Sequence, residues 1–223
     1  MRSSNLSEGF LIIRWGYVIV VNIVKQSVKL DQEIRADEAY KRIERAGRTA
    51  YKSESSGDHE ATLRFIRSLI SRGHESVLEH ISVSVRIVTD RAIANELVRH
   101  RIASYTQEST RYCNYNQRGF SVILPENLSG DKHLDDVIKV LQQIEATYNT
   151  LVNAHMKPEM ARAILPLCLK TEIVATMNIR EWRHVLKLRL DTHAHPQMRE
   201  LAGLILRALS DALPILFEDI SEV

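Results

Sequence analysis

The sequence predicts an α/β fold, a mixed or antiparallel sheet flanked by helices, and three observations carry that prediction. Residues 81–89 alternate, with Ile81, Val83, Val85 and Ile87 against Ser82, Ser84 and Arg86, the period of a half-buried strand. Residues 133–155 instead repeat apolar positions at Val137, Val140, Leu141 and Ile144, the period of a long amphipathic helix. Strand-like and helix-like segments also interleave along the whole chain, which is the pattern of a sheet covered by helices. With 44% hydrophobic and 26% charged residues in 223, the chain has enough apolar surface for a globular core and no disordered composition.

Taken in order, residues 10–24 form an apolar run interrupted by Arg14 and Asn22. It is shorter than the roughly 20 residues of a membrane-spanning helix and lacks a small-residue cleavage site, so no membrane anchor is expected. Within it, residues 17–24 read as a buried strand. Residues 36–46 read as a charged amphipathic helix, and 60–72 as another with Leu63, Ile66 and Ile70 on one face and Gly73 ending it. The block from His74 to His80 holds two histidines and two carboxylates of the kind that bind metals, but its spacing is not that of a zinc helix; a polar turn is expected and no metal. After the strand at 81–89, Asp90 caps a helix expected to run to residues 99–101. On it Ile93, Ala94, Leu97 and Val98 form an apolar stripe that Arg101 continues. Residues 102–118 show no period and read as a functional loop, and 120–124 as a strand stopped by Pro125. Pro158 opens a short helix in a favourable first-turn position. Residues 169–177 read as a strand and 178–189 as a helix with Trp182, Val185, Leu186 and Arg189 on one face. Arg180 and His184 sit together on an adjacent face. His193 and His195 lie in a turn before the last helix, which Pro214 bends or ends.

The chemistry concentrates in Arg99-His100-Arg101 and the following Gln107, Ser109, Arg111 and Tyr112. Guanidinium forks suit phosphate or a deprotonated ring, so an anionic ligand is the natural counterpart. A second apolar stripe ends in Arg189, which makes convergence of arginines on one anionic pocket plausible. The glycines form neither a dinucleotide-binding nor a P-loop pattern, so a nucleotide must be held by side chains and helix ends. Ser109 lacks the nucleophile-elbow context and reads as a substrate-contacting hydroxyl. Cys113 and Cys168 lack zinc spacing and an activating motif. Net charge is +2, which does not by itself indicate a broad nucleic-acid surface. Two other classes stay open at this level: a nucleic-acid module using residues 99–118 as a basic loop, and a histidine-based metal hydrolase.

The motifs resemble the flavin-dependent thymidylate synthases, whose signature is Arg-His-Arg, seven residues, then Ser. Arg99, His100, Arg101 and Ser109 match it, and Arg111-Tyr112 complete its ending. Further blocks are similar to the family's in the same order: H-E-S-V-L-E-H at 74–80, A-R-A-I-L-P at 161–166, N-I-R-E-W-R-H at 178–184 and L-R-L-D-T-H-A-H at 188–195. The resemblance spans about residues 23–205 and implies a single synthase domain at 23–223, with 1–22 as an extension of uncertain status.

The resemblance implies reductive methylation of dUMP to dTMP in the cytoplasm, with methylenetetrahydrofolate as carbon donor, FAD as hydride carrier, NADPH as reductant and no attacking enzymic cysteine. It places Ser76, Arg99, His100, Arg101, Asn178, Arg180, His184 and His193 at the flavin. Glu96, Gln107, Ser109, Arg111, Arg162 and Arg189 fall at dUMP. Arg189, Ser109 and His74 are the residues implied in catalysis, Arg189 as a fixed cation against the pyrimidine. It also implies a homotetramer with shared active sites, long helices at the subunit interfaces, and no nucleic-acid or membrane partner. The chain departs from the pattern twice: Thr106-Gln107 stands where many relatives have Asn-Glu, with Glu108 one place later, and His195 stands where Gln is more usual.

Overall fold

The computed structural model describes residues 21–128 and 130–221. Along the chain come β1 (Asn22–Ile23), β2 (Ser27–Leu30), α1 (Ala36–Tyr51), α2 (His59–Ser71), a 3₁₀ turn (Glu75–His80), β3 (Ser82–Asp90) and α3 (Arg91–Leu97). There follow β4 (Ser104–Gln107), α4 (Tyr115–Arg118), β5 (Ser121–Val122), α5 (Leu134–Asn153), α6 (Pro158–Ala161), β6 (Lys170–Asn178), α7 (Ile179–Arg189) and α8 (Pro196–Ala212). Four strands form an antiparallel sheet in the order β2-β3-β6-β4, and β1 pairs separately and in parallel with β5. Among the described residues no helix is long and apolar enough to cross a membrane.

The sheet follows from side-chain alternation. Along β3, Val83, Val85 and Ile87 are buried while Ser84 and Arg86 turn away, Arg86 pairing with Asp31 at 2.8 Å. Along β6, Thr171, Ile173, Ala175 and Met177 are buried in the same rhythm. A one-residue slip in either strand would turn this row out to water.

The chain clusters into two compact units. One comprises the described residues up to Gln26 with Val88–Leu97 and Gln107–Ile173. Its core joins Val21, Tyr115, Phe120, Val122, Leu141, Tyr148, Ala161 and Leu169, and α5 lies against α4 and α6. The other comprises Ser27–Ile87, Val98–Thr106 and the chain from Val174 onward. In it α1 packs on α2, and α7 packs on both α8 and the 3₁₀ turn at Glu75–His80.

Several expectations change. Residues 17–20 of the first expected strand lie outside the described residues, and within 21–24 only Asn22–Ile23 pair as a strand. Asp90 does cap α3, its Oδ1 accepting from the Ile93 amide at 2.7 Å, but α3 ends at Leu97 rather than continuing to residues 99–101. Arg101 therefore leaves the apolar stripe and is exposed, and His100 is the residue that turns inward. The expected loop at 102–118 contains an edge strand, β4, and a short helix, α4. Its alternation is written in polar residues, Ser104 and Thr106 against Tyr105 and Gln107, so a hydrophobic period could not reveal it.

Candidate active site

Helix α7 is the scaffold of the larger polar cluster. Asn178 starts it, its Oδ1 accepting from the Glu181 amide at 2.8 Å, which satisfies one of the donors that a helix N-terminus leaves unpaired. Ile179, Trp182 and Leu186 are buried, and the Trp182 indole donates to the Val83 carbonyl at 3.0 Å, tying the helix to β3. Arg189 closes the helix, half exposed at its end.

His100 meets Arg189 here. The Arg189 Nε donates to His100 Nε2 at 3.0 Å, and the Tyr105 hydroxyl donates to the His100 carbonyl at 2.8 Å. The His184 ring lies edge-on to His100 with centroids 6.2 Å apart. Burial, then the Arg189 and His184 charges, pull the His100 imidazole down to about 4, so it stays neutral near pH 7. Burial, with the Glu181 carboxylate nearby, pushes the Tyr105 phenol up to about 12, so it keeps its proton. Ligand atoms of His100, Glu181 and His184 lie within 4.8 Å of one another, spacing that could hold a metal ion. The His100 Nε2 is already committed to a guanidinium, however, and a fixed positive charge beside the cluster opposes a second cation.

The flanking Arg99 and Arg101 are both exposed. Arg180 is exposed and paired with Glu79 at 2.6 Å, and His193 is exposed and bonded to Asp191 at 2.7 Å. His74 and Ser76 are exposed at the 3₁₀ turn, with His74 Nδ1 3.5 Å from the Tyr51 hydroxyl. All of the residues implied at the flavin, and His74, fall in the unit that contains α7.

Five of the six residues implied at dUMP fall in the other unit, and Arg189 does not. Ser109 opens a tight turn: its carbonyl accepts from the Tyr112 and Cys113 amides, and its Oγ accepts from the Arg111 amide at 3.3 Å. Arg162 donates to Thr110 Oγ1 at 3.2 Å, and Arg111 reaches Glu159 at 3.8 Å. Four of the five, Gln107, Ser109, Arg111 and Arg162, therefore gather on or beside one turn, while Glu96 sits half-buried on α3. The Gln107 amide donates to Thr171 Oγ1 at 3.2 Å. Glu108 does not stand in for the missing carboxylate at 107. It accepts from the Tyr115 hydroxyl at 2.7 Å and from Lys170 at 3.3 Å, a structural pairing that, with burial, holds the phenol well above its usual range. Burial and the Asp90 charge push the Cys168 thiol up, the reverse of what activates a nucleophile.

Sequence reasoning missed Arg183. It is 1% exposed, and its guanidinium donates to Asp219 at 2.6 and 2.7 Å, to Glu75 at 3.2 Å and to the Leu216 carbonyl. Burial opposes the charge, but Asp219 and Glu75 more than offset it and hold the group protonated. It fastens the turn that carries His74 and Ser76 to α7 and to the C-terminal segment. The signal was present in the stripe Ile179, Trp182, Arg183, Leu186, all at helical spacing and all buried. His195 also finds a place: its Nδ1 accepts from the Gln197 amide at 3.3 Å and caps α8. A groove of about 1060 Å³ lies in the same unit, lined by Gln32–Arg45, Ser55–Thr62 and Ile81–Val83 residues; none of the implied site residues lines it.

Comparison with known proteins shows which proteins the chain is similar to. The family model described as thymidylate synthase complementing protein matches residues 33–215. A flavin-dependent thymidylate synthase of Mycobacterium avium is 35% identical over 196 residues, covering 79% of this chain and 78% of its own length. One from Geobacter sulfurreducens is 38% identical over 157 residues, covering 70% of this chain and 68% of its own. A solved UMP/dUMP methylase from Streptomyces cacaoi, bound with 5-Br dUMP, matches with a TM-score of 0.74 at 22% identity, over 89% of this chain and 96% of that one. At that identity the likeness establishes the fold.

Proposed function

The chain belongs to the thymidylate synthase complementing protein family, that of the flavin-dependent thymidylate synthases, and we propose that it converts dUMP to dTMP by reductive methylation. Methylenetetrahydrofolate supplies the carbon and NADPH the reducing equivalents. The observation that carries this reading is the Arg189 guanidinium, fixed at the end of α7 by His100 between two exposed arginines.

The donor set fits a flavin dinucleotide. Arg99 and Arg101 are exposed guanidiniums suited to a diphosphate, and Asn178, His184 and His193 add further hydrogen-bonding groups in the same unit. FAD, when bound, carries the hydride. The chain's own residues bind and orient. Arg189 presents a permanent positive charge to the pyrimidine, where it stabilises negative charge developing on the ring. Arg111 and Arg162, beside the Ser109 turn, hold the nucleotide phosphate, with the Ser109 hydroxyl and the Gln107 amide as further contacts; Glu96 completes the set. Because Gln107 replaces a carboxylate, its contact with the nucleotide can donate as well as accept. His74, on the 3₁₀ turn, lies at the flavin side and supports turnover. No cysteine attacks the ring, in keeping with the raised Cys168 thiol.

The same reading makes the protein a cytoplasmic homotetramer with shared sites, long helices at its interfaces and a single synthase domain over residues 23–223, preceded by an extension. It calls for no metal and no membrane or nucleic-acid partner. An absorbance spectrum of the purified protein tests it, taken with FAD and then with dUMP, followed by an assay for dTMP dependent on methylenetetrahydrofolate and NADPH. Flavin bands perturbed by dUMP, with dTMP formed, are expected. A protein that neither takes up FAD nor responds to dUMP overturns the reading, and salt-sensitive binding of long polyanions by that protein would favour the nucleic-acid alternative.

A further inference from the structure

We infer that His100 is a positioning residue for Arg189: its neutral imidazole accepts the Arg189 Nε–H and so sets the plane in which the rest of the guanidinium meets the pyrimidine. This deepens the synthase reading and rests on it. In the run Arg99-His100-Arg101, only the middle side chain is withdrawn from solvent, at 7% exposed. Its backbone is pinned by the Tyr105 hydroxyl at 2.8 Å, and its Nε2 lies 3.0 Å from the Arg189 Nε. For Nε2 to accept, the ring must carry its one proton on Nδ1, a tautomer fixed here by the partner rather than by pH.

The consequence lies in the shape of the guanidinium. Arg189 is the last residue of α7, where the terminal backbone carbonyls attract any nearby cation. A guanidinium is coplanar with its Nε–H and its Cδ, so for a given Cδ position the direction of the Nε–H fixes the plane of the two Nη groups as well. The imidazole thus holds the arginine against the pull of the helix end and sets the orientation of its Nη edge. A lysine at 189 would keep the charge but lose the second, coplanar set of donors. A protonated imidazole at 100 would repel the guanidinium it now holds.

The test compares two neutral amides at position 100 in the flavin-loaded enzyme at saturating FAD. In His100→Gln the amide oxygen reaches close to the Nε2 position; in His100→Asn it falls about one bond short. The affinity for dUMP is read from its perturbation of the flavin bands, and turnover from dTMP formation. The inference expects His100→Gln to stay within about threefold of the parent in dUMP affinity and His100→Asn to lose tenfold or more. It also expects His100→Asn to cause no further loss in an Arg189→Ala background, because the pair acts as a unit. Equal losses in the two amide variants, or a full additional loss in the Arg189→Ala background, overturn it. A parent protein that binds neither FAD nor dUMP instead defeats the functional reading itself, so the two failures are distinguishable.

Discussion

Two stretches of this chain place an arginine beside a histidine and resolve them in opposite ways. In Arg99-His100-Arg101 the imidazole goes inside and the guanidiniums face water. In Arg183-His184 the guanidinium goes inside and the imidazole is exposed. The difference lies in the partners. Arg183 has two carboxylates, Glu75 and Asp219, and a carbonyl, which offset the cost of burying a permanent charge. At position 100 the partner is itself a cation, Arg189, so the buried group must be one that can discard its proton. One site uses its arginine to hold the fold, and the other uses its histidine to aim an arginine.

The sharpest way to break the comparison is to truncate the two α7 arginines separately. Arg189→Ala is expected to reduce turnover by roughly 10²–10³-fold or more, since on the proposed function it removes a charge facing the reacting ring, while the sedimentation coefficient stays that of the parent. Normal turnover would refute the assignment. Arg183→Met is expected to act on the fold instead, lowering unfolding free energy in urea by about 3 kcal/mol, the low end for breaking a buried pair because Glu75 and Asp219 are partly hydrated. An unchanged urea midpoint would show that the ion cluster holds nothing together.

The two sites also titrate in different windows. His100 has a folded pKa of about 4 against an ordinary 6.5, so between those values the unfolded chain binds more protons and stability declines as pH falls from 6.5 to 4. Asp219 has its carboxyl held down chiefly by the Arg183 hydrogen bonds, so its contribution persists until pH falls below the ordinary 3.8 and then through its folded pKa. In urea titrations, His100→Gln should flatten the first window and leave the second. A slope from pH 6.5 to 4 that survives that substitution would assign it to another group.

Smaller effects are expected at sites that neither bury nor aim a charge. Ser109→Ala should weaken dUMP binding by roughly tenfold, the worth of one hydrogen bond, with activity remaining. Complete loss of turnover with unchanged dUMP affinity would instead make Ser109 a nucleophile. His195→Ala should cost about 1 kcal/mol of stability as a lost helix cap and leave the dUMP affinity unchanged. A changed dUMP affinity would give His195 a role at the site.

Much of the architecture was legible in local periods. The alternation at β3, the helical stripe on α7, the glycine after α2, at φ +72°, and the proline at the first turn of α6 each appear where the sequence puts them. What misled was the end of α3, because Arg101 continues an apolar spacing that the backbone abandons at Leu97. β4 was hidden because an edge strand of polar residues has no hydrophobic period.

The sequence by itself determined the family, the sheet-and-helix content and the short list of cations, because motif spacing and hydrophobic period are properties of neighbouring residues. Only the tertiary structure decided which of those cations is buried, which is paired with a carboxylate and which is held by a histidine. Glu75 and Asp219 reach Arg183 from 108 and 36 residues away, and His100 reaches Arg189 across 89. Whether a charge can be buried depends on the groups that surround it in space, and no local pattern records those.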